Sequence, residues 1–174
     1  MKKISAYEIA LSALSCAMAT LILTVGVYSA VLLFTGYLLA AIALMLPLAK
    51  KSYVGYALAY VATCILALIF NVTTFFDVLP FIMFFGLHPL VNELQLSSKI
   101  HRVLAFILKA IWFDATAYVI WLTMFRMTVA VPNIEQYIIP IILVVGTAFF
   151  FLYDYVMYKW RRIVNALVKR ITRK

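Results

Sequence analysis

Residues 36–68 read "GYLLAAIALMLPLAKKSYVGYALAYVATCILAL": two apolar runs split by Lys50, Lys51 and Ser52. Each run belongs to an apolar stretch of about 18–20 residues, enough to cross a hydrocarbon layer at about 1.5 Å per residue. A short basic turn between two such stretches is the pattern of a membrane hairpin. The rest of the chain has the same character. Of its 174 residues, 67% are hydrophobic and 12% charged, and the mean hydropathy is +1.09. A soluble domain of this size could not cover its surface with so few polar groups. The composition therefore defines an all-α integral membrane bundle with no separate soluble domain.

Outward from this hairpin, six spans are predicted. They cover about Tyr7 to Val27, Ala30 to Leu48, Tyr53 to Phe70, Phe76 to Leu96, Val103 to Phe125 and Tyr137 to Tyr158. The first boundary is the faintest, marked by Gly26, Tyr28, Ser29 and then Gly36. Met1-Lys2-Lys3 before an apolar run resembles a secretory leader. The run is longer than a leader core, however, and the bulky Tyr28 spoils the cleavage pattern around Ser29. It is read as the first span.

The basic residues set the orientation. Of the 15 Lys and Arg, all but Lys109 and Arg126 fall at the termini or in the turns after spans two and four. With six spans these positions share one side, and the positive-inside rule makes that side, and both termini, cytoplasmic. The net charge of +9 is then the signature of that face and not of nucleic-acid binding. Residues 1–158 form the predicted bundle and 159–174 a basic tail. In the tail, Trp160, Ile163, Val164, Leu167 and Ile171 recur at helical spacing. Either an amphipathic helix on an anionic leaflet or a frayed charged end fits that pattern.

Ionisable side chains inside a span need partners or a cavity. His88, Glu93, Lys109 and Asp114 are in this position. Asp77 and Asp154 lie nearer span ends, where water solvates them. Spans four and five form an antiparallel pair, and residues at equal depth share one index sum. That register sets Glu93 level with Lys109 and His88 level with Asp114, pairing each carboxylate with a basic group. Five residues turn a straight helix by about 140°, so both pairs need a kink, which Pro89 between His88 and Glu93 would supply. A neutral His88 bonded to a backbone carbonyl is the alternative.

On the outward side, Asn71, Asp77, Asp114, Arg126, Asn133, Glu135 and Tyr137 are the ligand-binding candidates. Arg126 is the lone cation there; it suits an acidic ligand group or a structural partner such as Asp77 or Glu135. Cys16 and Cys64 read as small buried hydrophobes. No metal-ligand spacing surrounds His88 or His101, and no HExxH, phosphate loop or nucleophile elbow occurs. No catalytic residue, metal or cofactor is therefore expected.

Ala6, Ala10, Ala13 and Ala17 lie four, three and four residues apart, on one face of the first helix. Small residues let helices approach closely in lipid. The stripe serves either packing within the bundle or docking of a second membrane protein.

With Ala13 and Ala17 in "ALSALSCAMA" (10–19) and the hairpin 36–68, the chain resembles the S component of an energy-coupling factor transporter. The resemblance implies a six-span, non-enzymatic subunit that captures a vitamin or other micronutrient from outside. It also implies a transmembrane coupling subunit docked on the alanine face and two ATPase subunits that supply the energy. A non-catalytic scaffold or assembly factor of the cell envelope is the competing class, and a small intramembrane enzyme a third.

Overall fold

The computed structural model describes residues 5–29, 31–98, 100–125 and 137–171, and all regular structure among them is helical. Helices α1 (Ala6–Tyr28), α2 (Leu33–Leu48) and α3 (Tyr53–Phe70) come first. A 3-10 segment Val72–Val78 and a π segment Phe81–Phe85 lead into α4 (His88–Ser97). Helix α5 (Arg102–Ile120) continues as a π turn, Trp121–Phe125. Helix α6 (Ile138–Ile141) passes through the π segment Ile142–Gly146 into α7 (Thr147–Ile171).

Ala6–Tyr28, Tyr53–Phe70, Arg102–Thr123 and Ile138–Ile171 are long and apolar enough to cross a membrane. Val72–Val78 with Phe81–Ser97 makes a fifth span if that pair, bent by 45°, is taken as one. Apolar side chains also cover the outside of the bundle: Leu21 is 68% exposed, Ile69 60% and Ile111 60%. A chain apolar within and without is a multi-pass helical membrane protein. The second predicted span, Ala30 to Leu48, corresponds to α2, which is shorter at 16 residues.

Helix α1 starts at a capping box. Glu8 N–H donates to Ser5 Oγ at 3.2 Å, and Ser5 N–H to a Glu8 carboxylate oxygen at 2.8 Å. Its inward face is small or polar, with Ser12, Ser15, Ala19, Thr20 and Gly26 buried. This lets α1 lie close against α2 and α3. Ser15 Oγ donates to the Ala43 carbonyl at 2.8 Å. At the far end, a Cβ on either Gly26 or Gly36 would lie 2.9 Å from the other's Cα, so only glycine permits that crossing.

The fourth predicted span is broken, and the break differs in place from the expected kink. Thr74 leaves helical geometry and Pro80 lacks an N–H. Pro89 sits in the first turn of α4, where a missing N–H costs nothing. Carbonyls freed by the break need donors in a dry environment. Tyrosines from α2 and α3 provide them: Tyr37 donates to Asp77 O, Tyr56 to Gly86 O, and Tyr60 to Ile82 O at 2.6 Å.

Helix α7 runs unbroken across the predicted boundary at 158/159. Of the tail's predicted apolar face, Val164 is buried, while Trp160, Ile163, Leu167 and Ile171 are exposed. Val164 and Val168 continue the inward stripe of Phe150, Tyr153 and Met157. The tail begins as a span packed on the bundle, including α2.

Candidate functional site

The break before α4 aims His88 and Asn92, one turn apart, into the bundle. Phe84, fully buried, holds the imidazole from one side with ring centroids 5.2 Å apart. Trp112 and Phe113 from α5 and Phe150 and Tyr153 from α7 complete that aromatic hub. Lys109 projects from the inward face of α5, with Ala105 and Ala110 buried beside it. Asp154 and Arg161, two turns apart, lie on one face of α7.

These side chains close a ring. Lys109 Nζ donates to Asn92 Oδ1 and to Asp154 Oδ1, both at 2.7 Å. His88 Nε2 lies 3.0 Å from the same Asp154 oxygen. Asn92 Nδ2 stands 3.4 Å from His88 Nδ1. Because Asn92 turns its oxygen to Lys109, its amide N–H faces His88 Nδ1. At Nδ1 the imidazole faces that N–H donor, while Nε2 lies at ion-pair distance from the Asp154 carboxylate but outside hydrogen-bond geometry. His88 is 0% exposed, and the Lys109 side chain only 6%. Toward the basic end, Arg161 binds Glu93 through two N–H groups, with Nη2 to Oε1 at 2.9 Å. Glu93 and the half-buried Asp154 thus each have a cation, the arrangement a low-dielectric interior requires.

The predicted partners were others. Glu93 pairs with Arg161, not Lys109. His88 meets Asp154, not Asp114. Asp114 instead accepts from Thr147 Oγ1 at 3.0 Å. The equal-depth register treated spans four and five as a two-helix problem. In the structure α7 lies against both, and its Asp154 and Arg161 come within reach of groups on different faces of α4. Asp114, five residues beyond Lys109, is turned by about 140° from the ring. Asn92 and Arg161 are the site residues that sequence reasoning missed, and Asp154, expected to be solvated near a span end, instead meets Lys109 and His88. The signal for Asn92 was its place four residues after His88. For Asp154 and Arg161 it was their seven-residue spacing along an apolar helix.

A cavity of about 420 Å³ opens beside the ring, between α4, α5 and α7. Lys109 and Asp154 form its floor, with Arg102, Tyr158 and Arg161 toward the basic end and Phe106 on its wall. The outward candidates differ in setting. Asn71 is buried and spends its amide on Ala67 O at 2.7 Å and on Thr24 Oγ1 at 3.4 Å. Asp77 lies in the 3-10 segment, and Tyr137 is 58% exposed. Asp114 edges a separate apolar hollow of about 340 Å³, with Ile111, Tyr118 and Ile142. Arg126, Asn133 and Glu135 lie outside the described residues. No three His, Cys, Asp or Glu side chains among the described residues group to hold a metal ion.

Ala6, Ala10, Ala13 and Ala17 are all exposed. The stripe therefore faces away from the bundle, and the inward packing of α1 uses Ser12, Ser15, Ala19 and Gly26 instead.

Fold and site together define a class: a multi-pass helical membrane protein with a balanced charge network inside the bundle. No family model, curated protein or solved structure matches the chain.

Proposed function

We propose that the protein is the substrate-binding subunit of an energy-coupling factor-type importer, a non-catalytic six-span bundle in a bacterial plasma membrane. One observation carries the reading: the small-residue stripe of α1 is turned outward, where a second membrane protein could approach closely. In this reading α2 crosses as well, at about 24 Å for its 16 residues. Arg102, the Lys50–Lys51 turn and the basic end of α7 then share the cytoplasmic side with both termini. The ligand is a vitamin or other micronutrient taken from outside. Asp77, Asp114 and Tyr137, with Arg126, Asn133 and Glu135, are the groups available near that face. A transmembrane coupling subunit seated on the stripe, together with two ATPase subunits, supplies the energy.

The test is copurification from the native membrane. A coupling subunit with two ATPases is the expected company, and Ala13→Trp with Ala17→Trp should abolish it while the protein stays folded. An intact complex carrying both tryptophans contradicts the docking role. A second reading, a non-catalytic envelope scaffold, is favoured by the internal pairing of Lys109 with Asp154 and of Arg161 with Glu93. It expects no small ligand in native mass spectra after gentle extraction, where the importer reading expects one.

A further inference from the structure

The cavity beside the charge network has two kinds of wall, and neither the transport reading nor the network accounts for both. On α5, Arg102, Val103, Phe106 and Lys109 lie on one helical face and all border it. Arg102 to Lys109 spans seven residues, about 10 Å of depth. On α7, Phe151, Asp154, Tyr155 and Tyr158 do the same. The volume of about 420 Å³ lies within the roughly 300–1,000 Å³ usual for small-ligand sites.

The two walls differ in chemistry. Val103 is 58% exposed, Phe151 64% and Tyr155 60%, so the mouth opens sideways through an apolar girdle. The basic end carries Arg102 and Arg161. Glu93 occupies Nε and Nη2 of Arg161, and the guanidinium has further N–H groups beyond those two. Lys109 is matched by Asp154 and Arg161 by Glu93. The exposed Arg102 at the rim therefore leaves the cavity with a positive excess. A cationic rim above an apolar side opening complements a molecule with an anionic head and a hydrocarbon body. Basic pockets between helices at a cytoplasmic membrane face recognise such head groups.

We propose that this cavity is a binding site for an acidic phospholipid of the leaflet at the basic face. The phosphate lies at Arg102 and Arg161, and an acyl chain runs along Phe106 and Phe151. The inference goes beyond the transport reading and needs only that the bundle sits in a membrane, so docking on α1 and lipid binding here can fail separately.

The test uses the full chain purified in a non-ionic detergent and stripped of lipid. Dioleoyl phosphatidylglycerol, dioleoyl phosphatidylcholine and inorganic phosphate are each titrated in. Occupancy is read by native mass spectrometry and the thermal unfolding midpoint in parallel. Phosphatidylglycerol should be retained and raise the midpoint, with little effect from phosphatidylcholine or phosphate. Arg102→Gln should weaken phosphatidylglycerol binding by about fivefold, and Val103→Glu, which sets a carboxylate at the mouth, should weaken it further. Both positions are exposed, and the midpoint of each variant without lipid reports its folding. Arg102→Gln decides the matter alone if Val103→Glu does not fold. Equal retention of the two lipids, unchanged binding by a folded Arg102→Gln, or a full shift from inorganic phosphate alone would each overturn the proposal.

Discussion

Asp154 is the residue on which the buried charges depend, because one of its oxygens meets both Lys109 and His88. Removing one member of a buried pair leaves the other uncompensated, a loss of about 3–5 kcal/mol. Asp154→Asn should therefore lower unfolding stability in detergent by about that amount, and adding Lys109→Met should recover part of the loss. Double-mutant cycles separate the observed partners from those the antiparallel register predicted. Glu93→Gln with Arg161→Gln should show coupling of about 1 kcal/mol or more, while Glu93→Gln with Lys109→Met should be close to additive. Strong coupling of Glu93 to Lys109 would restore the two-helix register. The need for partners was legible in the sequence, since ionisable groups in an apolar run announce themselves. Which partners was not, because Asp154 and Arg161 lie more than 40 residues away on a helix whose rotation only tertiary packing sets.

At the scale of the element, α3 has the predicted ends, Tyr53 and Phe70, and α2 has the predicted end Leu48 but is shorter than a spanning helix. Their signals are local: an apolar run, a basic turn, and a chain that must satisfy its own backbone in lipid. The fourth span was legible as apolar and as kinked, but the place of the break was not. Pro80 and Pro89 look alike in sequence, yet only Pro80 lies in the irregular part, while Pro89 falls in the first turn of α4. Pro89→Ala frees no needed backbone donor and should cost only the packing of its buried ring, less than about 1 kcal/mol. Tyr60→Phe should cost about 1 kcal/mol or more, because the Ile82 carbonyl loses its donor in a dry site. Thermal unfolding in one detergent checks both, and a larger effect at Pro89 than at Tyr60 would contradict the placing of the break. Gly86→Ala should also destabilise, since its Cβ would meet the Tyr60 ring at 2.7 Å.

For the molecule as a whole, the charge distribution and the helices bear on one question, the number of crossings. The long apolar helices and the bent pair make up to five, and the short α2 makes the sixth. An odd number would split the basic turns and the basic end of α7 between two sides, against the positive-inside rule. The cytoplasmic placing of the charged cavity, the outward ligand face and the importer reading all follow from the even number. The most direct measurement fuses each terminus in turn to two reporters, one fluorescent only in the cytosol and one active only outside. Cytosolic signal from both ends is the expected result. Signals from opposite sides would show an odd number of crossings, and would contradict the six-span bundle together with the function built on it.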